Sequence, residues 1–427
     1  MTDTLTPLLQ SLDEKTARYS TLNAYYAGTQ PLTFLAPEIR EQLNNRLARV
    51  VVNVPRLLVD SIAERLRVVG FTRPDVWADW LRSDLDQLAA IAHREALVLG
   101  DAFAIVWASP DGSPRVTIES AQQVLVATDP ASRKTTAAIK RVETTAGTTA
   151  WLYLPEKIER WTSNQPGATT TGFRLVETID NPLGVVPVVR FRNGGRLLDD
   201  GVSEMTDVLP LTDAVTKLTT DLLTASEYAA RPRRWATGVE LIEDEETGEA
   251  SNPFPEGDRM LISEDPASKF GQLAGSDLAG YENAIGVIMR QISAVSGLPE
   301  HMLGIGGDNP TSADSIRASE AALTAKAEAR QGSFGKAWED VARLLVAVRD
   351  GIDPASVDVA VKWADPSTRS VAQEADAIVK LHAAGLLPTS YALARLGYSD
   401  DEIAKIRTAR RTEALDTAGL DLGALAS

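Results

Sequence analysis

The stretch Gly304-Ile305-Gly306-Gly307-Asp308-Asn309-Pro310 breaks directly into one very long helical pattern, and this junction decides the fold. Upstream, Ile285, Ile288, Met289, Ile292 and Val295 recur at steps of three and four until Gly297-Leu298-Pro299. Glycine takes a left-handed cap and proline cannot continue the ladder, so a helix ends there. Downstream, Pro310 with Thr311 or Ser312 as N-cap and Asp314 in the first turn opens the next helix, where an acid suits the positive end. Ile316, Leu323, Ala327, Phe334, Trp338, Val341, Leu345 and Val348 keep helical spacing as far as Asp350-Gly351, with no proline between. A continuous helix from Ala313 to Arg349 is roughly 55 Å long at 1.5 Å per residue and needs packing partners along its whole length.

Working outward, Val202 to Ala230 and Asp277 to Ser296 read as two helices that run antiparallel. On the first, Val208, Leu211, Val215, Leu218 and Leu222 form an apolar stripe, and Asp213, Thr216, Lys217, Thr220 and Asp221 form a polar opposite face. Pro210 either opens or kinks it. The interruption between them, Arg231 to Ser276, is rich in Gly and Pro, with short strands expected at Arg234 to Leu241 and Arg259 to Ser263. From Glu240 to Asp258 it holds eight acids and no base.

The first hundred residues read mainly as helix, with faces Leu43, Leu47, Val50 and Val54, then Leu57, Leu58, Ile62 and Leu66 beyond a break at Pro55, then Leu85 to Leu99 ending at Gly100. From Phe103 to Phe191 the period becomes two. Arg115 to Glu119, Thr149 to Leu154, Lys157 to Trp161 and Pro187 to Phe191 read as strands between Gly/Pro/Asn/Asp turns. Val357 to Trp363 reads as another strand. Short helices follow at Arg369 to Ala384, Ser390 to Leu396 and Asp400 to Leu415, with a loose tail from Gly419. The fold class is therefore α+β, mainly helical with inserted antiparallel β-rich segments.

At 427 residues the chain exceeds one ordinary core, and 44% hydrophobic content can bury a large one. No run of eighteen apolar residues and no signal-like N-terminus occur, which points to a soluble chain with no membrane role. Zero cysteines exclude disulfides and thiol chemistry and fit a reducing cytoplasm during assembly. The net charge of −16 argues against a protein that grips nucleic acid, and on charge alone it reads as the acidity that keeps many chains in solution.

No catalytic site, metal site or cofactor is expected. His93, His301 and His382 lie far apart, and His93 and His382 read as surface or half-buried helix residues. Gly304 to Gly307 lacks the Lys-Ser or Lys-Thr that a phosphate-binding loop requires. Asp199-Asp200, Asp400-Asp401 and Glu243-Asp244-Glu245-Glu246 read as solvated charge. Sequence pattern alone makes the Gly-rich loop a flexible connection.

Gly297-Leu298-Pro299-Glu300-His301-Met302-Leu303-Gly304 and Asn309-Pro310-Thr311-Ser312-Ala313-Asp314-Ser315-Ile316-Arg317 closely resemble the portal proteins of long-tailed bacteriophages. Tyr25-Tyr26-Ala27-Gly28, Asn53 to Asp60, Glu95 to Phe103 and Arg231-Pro232-Arg233-Arg234-Trp235 look like that family's landmarks in the family's order, so the resemblance covers about residues 20 to 365. It implies a homo-oligomeric ring, usually of twelve copies, at one capsid vertex of the virion. Such a ring is a channel for double-stranded DNA in packaging and ejection, and it docks the terminase large subunit, the head-tail adaptor, scaffold and major capsid protein. It also implies a wing (residues 1–200 and 313–365), a stem (201–230 and 277–297), a clip (231–276), a tunnel loop (298–312) and a crown (366–427). By this resemblance Leu303, Gly304, Ile305, Gly306, Gly307, Asp308 and Asn309 face DNA. Arg233, Arg234, Trp235, Glu243, Asp244, Glu245 and Glu246 form a protein-docking rim. The rival readings are a nucleotide-using packaging enzyme and a smaller scaffold or adaptor protein.

Overall fold

The computed structural model describes residues 4–31, 51–194, 196–197, 200–230, 234–238, 242–243, 250–251, 266–272, 278–305, 313–367, 371–396, 398 and 400–424. The chain divides into two compact units, Met1–Asn309 with Ser319–Pro366, and Pro310–Ala318 with Ser367–Ser427.

In the first unit, helix α1 (Leu5–Ala27) ends where Gly28 adopts φ +70°. Helix α2 (Val54–Ala63) starts where the Asn53 side chain accepts the Arg56 amide at 3.1 Å, with Pro55 in its first turn. Pro55 thus stands in the opening turn of a helix, where its missing N–H costs nothing. Leu43, Leu47 and Val50 lie outside the described residues. Strand β1 (Val68–Phe71) and helix α3 (Asp75–Arg82) follow, and helix α4 (Leu85–Leu99) has the expected bounds, closed by Gly100 at φ +96°.

The period-two region folds into two antiparallel sheets. One has the order β3-β2-β9, from β2 (Asp101–Ala108), β3 (Pro114–Ser120) and β9 (Val188–Arg192). The other runs β4 (Val124–Thr128), β5 (Thr135–Thr144), β6 (Gly147–Tyr153), β7 (Lys157–Ser163), β8 (Arg174–Asp180) as consecutive hairpins. Two helices come next, α5 (Leu209–Ala230) and α6 (Ala279–Ser296). Pro210 stands in the first turn of α5, so it opens the helix.

Helix α7 runs unbroken over Ala313–Asp350, 38 residues, as the spacing predicts. Its stripe of Leu323, Ala327, Phe334, Trp338, Val341 and Leu345 is fully buried in the main core. There Trp338 meets Trp80 edge-on at 4.8 Å and Phe191 at 4.5 Å. The expected strand Val357 to Trp363 is shorter, β14 (Val361–Trp363), and pairs antiparallel with β1. Val357 and Val359 still point inward, which is what their alternation signalled.

His93 is not a surface residue. It is wholly buried, stacked on Phe334 at 5.5 Å, and its Nε2 accepts the Trp338 indole N–H at 2.8 Å. Burial pulls its pKa down to about 3, with the Leu66 backbone opposing only in part, so the ring is neutral. The polar face expected on α5 is also partly internal. Thr212, Thr216 and Thr220 are buried, and the Thr212 and Thr220 hydroxyls donate to carbonyls one turn back, leaving their methyls to pack.

The second unit holds helices α8 (Val371–Ala383), α9 (Thr389–Arg395) and α10 (Asp400–Ala424) around Ile378, Ala392 and Ile403. The expected loose tail from Gly419 is instead helical to Ala424.

Candidate functional site

Helices α5 and α6 pack side by side, and the chain between them forms a small insertion. Strand β10 (Arg234–Thr237) pairs antiparallel with β13 (Lys269–Gln272), with Trp235 opposite Gly271. A Cβ at position 271 would stand 2.6 Å from the indole, so the missing side chain is what lets the ring lie across the ladder. Trp235 is 44% exposed. A second ladder, β11 (Ile242–Glu243) with β12 (Ala250–Ser251), flanks the acid run. Arg233, Asp244, Glu245 and Glu246 lie outside the described residues, as does the expected strand Arg259 to Ser263. The β13 strand was not foreseen, since Lys269-Phe270-Gly271-Gln272 carries a glycine and little β-branching.

The base of the Gly-rich loop is firmly built. Gly297 caps α6 at φ +74°, and an added Cβ there would touch Ala322 on α7 at 3.4 Å. The Leu298 amide donates to Ser296 Oγ at 3.1 Å, Ser293 Oγ donates to the Leu298 carbonyl at 2.7 Å, and the Leu298 side chain is buried. A short turn, Glu300–Leu303, seats Leu303 in the core, and Gly304 leaves it at φ +69°. Leu303 is thus the loop's anchor, Gly304 is exposed and Ile305 half-buried. Gly306, Gly307, Asp308 and Asn309 lie outside the described residues. His301 Nε2 stands 4.0 Å from Glu320 on α7, whose other oxygen takes Arg65 at 2.9 Å.

A buried clamp holds the start of α5 to α7. Glu204, just before α5, accepts Arg330 at 2.7 Å and Lys326 at 3.2 Å. Burial would raise its pKa, but the two cations outweigh that and hold it below the usual carboxylate range. Nothing local in the sequence marks Glu204, because its partners stand 122 and 126 residues away. The landmark residues do comparable work. Tyr25 donates to Asp213 on α5 at 2.7 Å, Tyr26 donates to Asp60 at 2.8 Å, and Asp101 takes both arms of Arg190 at 2.7 Å each. Burial and Asp213 push Tyr25 up to about 12. These pairs fix element against element. Among the described residues no three His, Asp or Glu stand together as metal ligands.

A helix pair with a small β insertion, feeding through an anchored glycine-rich loop into one long core helix, defines a structural subunit whose charged pairs serve architecture. The sequence matches the family model described as "Phage portal protein, SPP1 Gp6-like" over residues 5–415, and the chain belongs to this family of phage portal proteins. The portal protein of Mycobacterium phage D29 is 30% identical over 443 aligned positions, covering 97% of this chain and 89% of that one. The portal protein of Mycobacterium phage L5 is 30% identical over 441, with the same coverage. Among solved structures, a chain from the virion of a native gene transfer agent particle aligns with TM-score 0.48 and 16% identity, covering 89% of this chain and 93% of that chain. Family membership makes the chain a non-enzymatic component of the phage virion, which removes both the nucleotide-using enzyme and the smaller scaffold or adaptor.

Proposed function

We propose that this chain closes into a ring of twelve copies at one vertex of the capsid and serves as the channel for double-stranded DNA in packaging and ejection. On this reading α5 and α6 form the stem, residues 231–276 the clip that docks terminase and later the head-tail adaptor, and residues 298–312 the loop that lines the channel. Residues 1–200 and 313–365 form the wing that meets capsid and scaffold, and 366–427 the crown.

The observation that carries the ring is the state of the α5 and α6 surfaces. α5 buries threonines against its own chain while Leu211, Leu218, Leu222 and Leu223 stay half-open, and Val287 and Val295 on α6 are 45% and 46% exposed. Such faces on both helices of a pair call for neighbours on each side, and head-to-tail contacts of that kind give a ring when the rotation from copy to copy closes. The test is mass measurement and electron microscopy of the purified chain beside Leu218→Asp with Leu222→Asp. The parent should give rings with a central hole. The double variant should keep its helical circular dichroism and remain a monomer; rings formed equally well by the variant would remove this face from the interface.

Glycines at 306 and 307 let the loop backbone shift as DNA passes, and Asp308 keeps phosphate contact brief. Bulky residues at 306 and 307 should leave rings intact and lower DNA packaging or retention. Charge reversal of Glu243, Asp244, Glu245 and Glu246 should slow docking of terminase and adaptor. Unchanged packaging or unchanged docking removes the corresponding assignment.

A further inference from the structure

We infer that the C-terminal helix carries a phosphate-binding face for duplex DNA, built by Arg407, Arg410 and Arg411. The inference rests on the DNA-channel reading above and adds to it a place where the chain holds DNA instead of letting it slide.

The argument starts from spacing. Ile403 is the buried side chain that fastens α10 within its unit, and Arg407, Arg410 and Arg411 follow it at four, seven and eight residues. Helical geometry places all three on the Ile403 side, within an arc of about 100°. All are exposed, and among the described residues none is in an ion pair, in contrast to Arg190, Arg330 and Arg349, which each grip carboxylates. From Lys405 to Arg411 there are four bases and no acid, in a chain of net charge −16.

The chemistry of the face selects the partner. Beyond Ile403 the stripe offers the arginines and Ala414, and Ile406 at its edge is half-buried, so among its described residues no large apolar side chain stands exposed; the exposed Tyr391, Leu396 and Tyr398 precede the helix. A protein interface draws its strength from a desolvated apolar or aromatic centre, and the described part of this face exposes none. Phosphate oxygens need none, and guanidinium forks match them two bonds at a time. Three exposed forks spread over about 6 Å of helix axis suit one stretch of backbone, read without regard to sequence.

The test uses the full-length chain and a fluorescein-labelled 30-base-pair duplex of random sequence, titrated at several salt concentrations, with light scattering on the same samples. Replacing all three arginines by glutamine should lower the slope of log affinity against log salt by about 2.7 and weaken binding roughly 500-fold at 0.1 M salt relative to the 1 M reference. Lys405→Gln, on the opposite side of the helix, should change little. A triple variant that binds like the parent overturns the inference. So does one that breaks up the oligomer at unchanged DNA affinity, since the face is then a contact between copies. Should the triple variant fail to fold by circular dichroism, Arg410→Gln alone must lower the slope by about 0.9 and the triple lysine variant must retain it; failure of either also overturns it. A parent of ring mass that does not bind the duplex removes this inference and leaves the ring standing. A monomeric parent that binds DNA through these arginines does the reverse.

Discussion

Replacing His93 by glutamine should make stability cross over with pH. In the parent the imidazole is fully buried and its pKa falls from 6.5 to about 3, whereas in the unfolded chain it titrates normally. Between those values the unfolded state binds the extra proton, so stability is complete above about pH 6.5 and is lost as pH falls toward 3. At pH 4.5 the loss from this group is about 2.7 kcal/mol. Glutamine has no proton to gain, and its carbonyl can still accept the Trp338 indole N–H. It forfeits the stacking on Phe334 and the tilted contact with Trp363 at 5.4 Å, together about 1.5 kcal/mol. The variant should therefore be weaker by about 1.5 kcal/mol at pH 7.5, equal to the parent near about pH 5.5, and stronger by about 1 kcal/mol at pH 4.5. Urea unfolding followed by tryptophan fluorescence, at one protein concentration across that pH range, reads the difference, and the carboxylates common to both chains cancel. Parallel stability curves would refute the reasoning, because they would mean that His93 is solvated or already protonated in the fold.

Glu204→Gln should cost about 2–3 kcal/mol near neutral pH by stranding Lys326 and Arg330, both still partly open to water. Glu204's contribution is present above the unfolded carboxylate pKa and lost as pH falls through the lower folded one, so parent and variant should converge in acid unfolding titrations. Gly201→Ala places a Cβ 2.1 Å from the Gly100 carbonyl oxygen and should lower stability by more than about 3 kcal/mol, while Gly184→Ala, with open space around it, should cost only about 1 kcal/mol of left-handed strain; thermal melts of both separate the two effects. Gly271→Ala should push Trp235 off the β10–β13 ladder and shift its fluorescence, read against Trp235→Phe, with the melting of the core unchanged.

Elements with strong local signals were legible in the sequence. Proline-free apolar spacing marks α7 from end to end, glycine stops mark the ends of α4 and α6, and alternation between turn residues marks the central sheets. Side-chain fates that depend on distant partners were not. His93 read as a surface or half-buried residue because the indole that satisfies it is 245 residues away. Thr220 read as part of a polar face because a threonine hydroxyl can satisfy itself on its own helix, leaving a small apolar group that hydropathy undervalues. Of the loop, the glycine stops were visible, but Leu303 belongs with the core residues, a fact that only the turn Glu300–Leu303 makes plain.

The contact between Trp338 and His93 has a consequence for how the chain is made. Synthesis at about 5–20 residues per second puts roughly 12–50 s between the emergence of the two side chains. During that interval Trp80 and His93 have left the ribosome and Phe191 joins them, but the helix that covers them does not yet exist. The N-terminal half therefore waits with an open aromatic floor, and its demand for chaperone protection ends only when α7 is delivered. Slowing translation between the codons for residues 200 and 338 should lengthen the wait and lower soluble yield, whereas the same slowing after residue 363 should not.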